Sequence, residues 1–256
     1  MGDVIVITSG KGGVGKTTTS ANIGTGLAMF GKKVVLIDTD LGLRNLDVHM
    51  GLENRIVFTL IDVVKGSCRI SQALIKDKRY PNLYLLAAAQ NCDKSSVTAE
   101  DMKSLIEQLK AEFDYVILDC PAGIDTGFMN ATAGADIALV VTTPELACTR
   151  DADRVIGILE EKGYKDIRLI INRIRPELIK KGRMKTPEQL VEDLKCKLFG
   201  VVPDDDEIVV STSSGEPIVT RRTVAGIAFR NIAERLTGVD VPLMDIYKKR
   251  HFWSKD

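Results

Sequence analysis

The sequence predicts an α/β fold: a doubly wound, mainly parallel sheet of about seven or eight strands with helices on both faces. Three observations carry this expectation. Short apolar runs alternate along the chain with stretches of helical periodicity. Several of those runs are continuous rather than alternating, as parallel strands covered on both faces require. Residues of chemical character fall just after the strands, at the edge where open α/β sheets hold ligands.

The elements follow in order. Val4–Thr8 reads as the first strand, and a glycine-rich loop separates it from a helix near 17–30. Lys33–Ile37 and Asn82–Leu86 are the next strands. A helix near 98–112 shows its period in Asp101, Leu105, Ile106 and Leu109, with Leu105 and Leu109 stacked one turn apart. Strand Tyr115–Leu118 and a helix near 126–133 come next, then strand Ile137–Val141 and a helix near 149–162. Strand Arg168–Ile171, a helix near 187–196, strand Leu198–Val201 and a helix near 223–236 complete the pattern. No repeat, low-complexity tract or linker interrupts them, so residues 1–242 are expected to form one domain, followed by a short basic tail at 243–256.

Composition narrows the class. At 256 residues the chain can bury one large core. Lys+Arg and Asp+Glu each total 35, so no global field draws it to nucleic acid or lipid, and such binding needs a local patch. Cys68, Cys92, Cys120, Cys148 and Cys196 are scattered without Cys-x-x-Cys spacing. That fits free thiols in a reducing cytoplasm rather than zinc or iron–sulfur ligation. No apolar run approaches the roughly 18 residues of a membrane-spanning helix. Met1-Gly2-Asp3 leads straight into a strand, with no signal peptide expected.

The most specific feature is Gly10-Lys11-Gly12-Gly13-Val14-Gly15-Lys16-Thr17-Thr18, which fits G-x-x-x-x-G-K-[ST] between a strand and a helix. Its glycines let successive N–H groups surround an anion, and the helix N-terminus adds its dipole. Lys16 supplies charge to the β- and γ-phosphates, and the Thr17 hydroxyl is placed to ligate Mg²⁺. Val116-Ile117-Leu118-Asp119 is an apolar strand ending in an acid, the form in which Asp119 holds Mg²⁺ opposite Thr17; a polar strand end is the plainer alternative. Pro121-Ala122-Gly123 makes a rigid turn from which the Gly123 N–H can reach a γ-phosphate, so this loop reads as a switch. Cys120 reads as a small buried residue. Asp38 and Asp40, one residue apart at a strand end, either handle metal and water or cap the next turn.

Lys11 adds a second lysine to the loop, too near the strand end to serve its own γ-phosphate easily. With it, the run resembles the deviant Walker A (ParA/MinD) family of P-loop ATPases. Asp38-Thr39-Asp40-Leu41-Gly42-Leu43-Arg44-Asn45-Leu46-Asp47, Asp119–Ile124, Thr143-Pro144-Glu145 and Arg150–Arg154 resemble its septum-site-determining branch. The similarity runs from about residue 3 to about residue 242. The resemblance implies that Lys11 reaches across an ATP-dependent homodimer to the partner's nucleotide. It also implies that Asp40 orients the attacking water and that Asp38 helps hold the Mg²⁺ hydration shell. Gly12, Gly13, Val14, Gly15 and Thr18 then line the phosphates, and Asn172, Arg173, Pro203, Asp204 and Asp205 enclose the base. Adenine rather than guanine rests on the family.

Further expectations concern surfaces. Arg44, Asn45 and Asp47 form a switch surface at the dimer or partner face. Arg150, Asp151, Asp153 and Arg154 open a helix, where acids favour the dipole regardless of function; the resemblance assigns Asp151 and Asp153 to a partner surface. Partners implied are a MinC-like division inhibitor and a MinE-like or DivIVA-linked positioning factor, with no specific nucleic acid. The tail departs from the family's longer amphipathic end. As a helix it shares Leu243, Ile246, Tyr247 and Trp253 on one face. Lys248, Lys249, Arg250, Phe252 and Trp253 then meet an anionic inner membrane face, or else form a solvated tail. The protein would be cytoplasmic and peripheral on that face. A ParA-like partition ATPase, with Arg221-Arg222 and Lys180-Lys181 as its basic residues, and a flagellum-placement ATPase are the alternatives.

Overall fold

Parallel strands buried on both sides set the architecture. In a computed structural model, which describes residues 1–90, 92–93 and 96–247, the strands form one sheet. In chain order the elements are β1 Asp3–Thr8, α1 Lys16–Met29, β2 Val34–Asp38, α2 Leu46–His49, α3 Leu60–Val64, α4 Ile70–Ala73, β3 Ile75–Lys76, β4 Leu83–Leu86, α5 Ala99–Lys110 and β5 Tyr115–Asp119. Then come α6 Thr126–Ala131, β6 Ile137–Thr142, α7 Leu146–Glu161, β7 Ile167–Ile174, α8 Pro176–Lys180, α9 Pro187–Leu194, β8 Lys197–Pro203, α10 Glu207–Ser213 and α11 Val224–Leu236. The sheet order is β3-β4-β2-β5-β1-β6-β7-β8. Every pairing is parallel except β3 with β4.

The pleat divides the core in two. Along β1, Val4 and Val6 face the layer holding Leu105, Ile106, Phe128 and Val155, whereas Ile5 and Ile7 face Ile23, Leu27, Phe229 and Ile232. Helices α5, α6, α7 and α9 therefore cover one face, and α1 and α11 cover the other. Among the described residues no helix is long and apolar enough to cross a membrane.

Two local expectations are corrected. Asp101 is not on the core face of α5. It completes a capping box, its carboxylate accepting from the Thr98 N–H (2.9 Å) while Thr98 Oγ1 accepts from the Asp101 N–H (3.2 Å). The buried stripe is Met102, Leu105, Ile106 and Leu109. The tail is not helical over 243–247 either. Arg235 takes the carbonyls of Val241 (2.6 Å) and Pro242 (3.1 Å), and Asp245 accepts from the Tyr247 N–H to form a turn. Met244 and Ile246 pack against the core, so they do not join Leu243 and Tyr247 on a free face. Lys248, Lys249, Arg250, Phe252 and Trp253 lie outside the described residues.

Candidate nucleotide site

Helix α1 begins without the side-chain cap that α5, α9 and α11 receive from Thr98, Thr186 and Thr223. Its N-cap is Gly15, in the left-handed region at φ 98°. The first N–H groups of α1 are thus left for an outside acceptor, which is how helix N-termini bind phosphate. Gly15 also has no room for a side chain, since a Cβ would lie 2.3 Å from Asn172 Nδ2. Gly10, at the other end of the loop, rests on the backbone of α7, where a Cβ would meet the Asp151 carbonyl oxygen at 2.3 Å. Lys16 is only 8% exposed, and Lys11 is exposed.

Three acids gather beside this loop. Asp38 and Asp119 end adjacent strands at paired register positions, both buried. Asp119 accepts from Ser20 Oγ at 2.7 Å, and Thr17 bonds the same carboxylate. Asp38 accepts the N–H groups of Asp40 (3.0 Å), Asn45 (3.1 Å) and Leu46 (3.2 Å), so it does cap the following turn. That turn places half-buried Asp40 at the rim of the site. Burial pushes the Asp38 carboxyl from 3.8 up to about 7, the Asp119 charge pushes the same way, and the Asp40 and Leu46 amides oppose. Burial raises Asp119 as well, against the pull of Ser20, Thr17 and Lys16.

The donor set fits a small hard cation. Thr17, Asp38 and Asp119 offer only oxygen, and a dication would relieve two buried carboxylates held side by side. Among the described residues no group of three or more His, Cys, Asp or Glu forms a closed metal cage.

The Asp38 shift has a consequence for stability. A carboxyl whose folded value lies above its unfolded one binds more protons when folded, so its contribution is complete below about pH 4 and is lost as pH rises through about 7. The nucleotide-free protein is expected to be less stable at about pH 7.5 than at about pH 5, and Asp38→Asn to flatten that difference. Urea unfolding of both proteins at both pH values checks it.

Several expected contacts are arranged differently from their simplest reading. The Gly123 N–H donates to the Ser9 carbonyl at 3.3 Å, so reaching a γ-phosphate means exchanging that bond. The Asn172 amide faces the phosphate loop: Nδ2 donates to the Val14 carbonyl (2.8 Å) and Oδ1 accepts from the Arg173 N–H (2.9 Å). Arg173 is exposed near the C-terminal end of β7 with φ 56°, a strained conformation for a long side chain. Asp204 pairs with Arg175 (2.5 Å), and Asp205 accepts from the Glu207 and Ala225 N–H groups. Those two acids shape the turn after Pro203. Cys120 is buried with its thiol pushed up to about 12, which makes it a packing residue.

This loop, acid pair and sheet have counterparts of known kind. A family described as "AAA domain" matches residues 2–168. The septum site-determining protein MinD of Synechocystis sp. is 57% identical over 247 residues, spanning 96% of this chain and 93% of that protein. The chain belongs to the MinD family. Two solved MinD structures share its fold. The MinC:MinD cell division protein complex of Aquifex aeolicus matches with a TM-score of 0.88 at 47% identity, over 94% of this chain and 98% of that one. MinD of Pyrococcus horikoshii, complexed with Mg-ADP, matches with a TM-score of 0.84 at 31% identity, over 92% and 96%.

The outer surfaces of this MinD-family chain are partly corrected. Helix α7 starts at Leu146, so Asp151 and Asp153 sit in its second turn rather than at its opening, beyond most of the dipole's reach. The helix-start explanation for these acids therefore loses force; Asp153 is exposed. Asn45 is exposed, but Arg44 turns inward, its Nε 2.8 Å from Oδ2 of fully buried Asp47. Burial raises the Asp47 carboxyl and Arg44 opposes that rise. Sequence reasoning missed Ser20 and His49. Ser20 is detectable as the residue one turn after Lys16 on the same helix face, while His49 Nε2 lies 3.4 Å from Thr18 Oγ1 through the fold alone.

Proposed function

We propose that this MinD-family chain is a Mg²⁺-dependent ATPase that pairs with a second copy while holding ATP and acts in septum placement from the cytoplasmic face of the cell membrane. The observation that carries the reading is buried Lys16 and half-buried Thr17 at the uncapped start of α1 beside buried Asp119, in a chain 57% identical to a septum site-determining MinD over nearly its whole length. Lys16 and the amides of Gly12, Gly13, Val14 and Gly15 bind the β- and γ-phosphates. Thr17 and Asp119 would hold Mg²⁺, which would supply positive charge against the charge that develops on the phosphates. Asp40 orients the attacking water, while Asp38 fixes the turn that carries Asp40. Lys11 of each copy neutralises charge on the opposite nucleotide. Arg173 stacks on adenine, with the turn after Pro203 closing beside it. Exchange of the Gly123–Ser9 bond for a phosphate contact would report whether ATP or ADP is bound.

The Aquifex complex pairs MinD with MinC. A MinC-like division inhibitor is accordingly the partner we assign to the Asp151 and Asp153 surface, with a MinE-like or DivIVA-linked factor setting position. The residues after 247 supply the membrane contact, and two weak tails on one dimer bind where a single tail does not. Sedimentation on phosphatidylglycerol vesicles tests this, using the full chain and a chain lacking residues 248–256, with ATP or ADP. Only the full chain with ATP is expected to pellet. Equal pelleting with ADP, or without the tail, would refute the membrane step.

A further inference from the structure

Helix α2 carries His49 at its last position. His49 Nδ1 lies 3.0 Å from the Asn45 carbonyl oxygen. A carbonyl only accepts, so Nδ1 carries the proton, and in the neutral ring Nε2 is left as an acceptor. The Thr18 hydroxyl, 3.4 Å away in the first turn of α1, is then the donor to Nε2. The other end of α2 is stapled by Asp38 through the Asn45 and Leu46 N–H groups. Asp38 stands beside Asp119, and Asp119 accepts from Ser20 on α1. His49 therefore closes a ring of contacts through β2, α2, α1 and β5, around the phosphate end of the site.

We propose that His49 is a positioning residue for the nucleotide. Because the one proton of the Thr18 hydroxyl goes to Nε2, His49 anchors Thr18 so that the N–H groups of the first turn of α1, rather than the hydroxyl, receive phosphate, and it ties that turn to the segment bearing Asp40. This rests on the nucleotide reading given above. The contact is made before and after γ-phosphate transfer alike, so its loss weakens binding and leaves the chemical step alone. Helix α2 does not depend on the imidazole for its attachment. Arg79 separately clamps the residue after it, Nη2 donating to the Met50 carbonyl (2.6 Å) and Nη1 to the Gly215 carbonyl (2.9 Å).

Two amide substitutions separate this role from a structural one. A glutamine at 49 reaches as far as Nε2 and can accept from Thr18; an asparagine reaches only as far as Nδ1 and can reproduce only the Asn45 contact. His49→Ala and His49→Asn are expected to raise both the KM for ATP and the Kd for Mg-ADP about fivefold, the effect of one hydrogen bond, with kcat within about twofold. His49→Gln should stay within about twofold of the unmodified chain. In a Thr18→Val background, His49→Ala should add nothing. Rescue by asparagine instead of glutamine, a fall in kcat at constant KM, or variants that all match the unmodified chain would overturn the assignment. An unmodified chain that binds no Mg-ADP would overturn the nucleotide reading together with it; binding that is indifferent to residue 49 overturns the His49 role alone.

Discussion

ATP turnover is expected to fall by about two to three orders of magnitude when Lys16 is replaced by alanine. Lys16 is buried at the head of α1, close enough to Asp119 to oppose the rise that burial gives that carboxyl, and in the proposed site its charge balances the phosphates. Because Lys16 meets the nucleotide in the ground state too, Lys16→Ala also weakens Mg-ATP binding. Asp40→Ala behaves differently. Asp40 follows the Asp38 turn at the rim of the site, so its loss is expected to cut turnover to a similar extent while Mg-ATP still binds. Phosphate release and nucleotide titration on the same preparations separate the two. Turnover unchanged in both variants would leave the hydrolytic assignment without support.

Lys11→Ala is expected to lower turnover about a hundredfold or more while each chain still binds nucleotide. Lys11 is exposed near the strand end of its own loop, and in the proposed mechanism its charge is delivered to another copy. The consequence is visible in association state. With ATP, Asp40→Ala should sediment as a dimer in analytical ultracentrifugation, and the Lys11→Ala, Asp40→Ala double variant as a monomer. A monomeric Asp40→Ala protein at saturating ATP and high concentration would remove the basis for cross-subunit catalysis. A dimeric double variant would show that Lys11 is not what joins the copies.

The long elements were legible because their physics is local. The runs at Val4–Thr8, apolar up to its last residue, and Tyr115–Leu118 recur as β1 and β5, each only a residue longer. The phosphate loop was legible for a related reason: glycine spacing, a lysine and a threonine are all consecutive in sequence. What was not legible depends on distant partners. Strand β3 is two residues long and exists only by pairing antiparallel with β4. Helix α2 is held by Asp38, seven and eight residues before the amides it accepts from. Helix α3 did carry a readable signal, the Thr59–Asp62 capping box, but its five residues show too little periodicity to confirm it. The inward turns of Asn172 and Arg44 belong to the same class. Residue type alone makes each of them a plausible outward contact, and only packing sends Asn172 to the Val14 carbonyl and Arg44 to Asp47.

The seat of Gly10 on the Asp151 backbone gives the molecule a mechanical linkage. With no space for even a methyl group between them, the front of the phosphate loop cannot move toward α7 by more than a few tenths of an ångström without pushing its second turn. A protein that docked against Asp153 and shifted α7 is therefore expected to change how tightly nucleotide is gripped, and nucleotide would then change the grip on that protein by an equal factor.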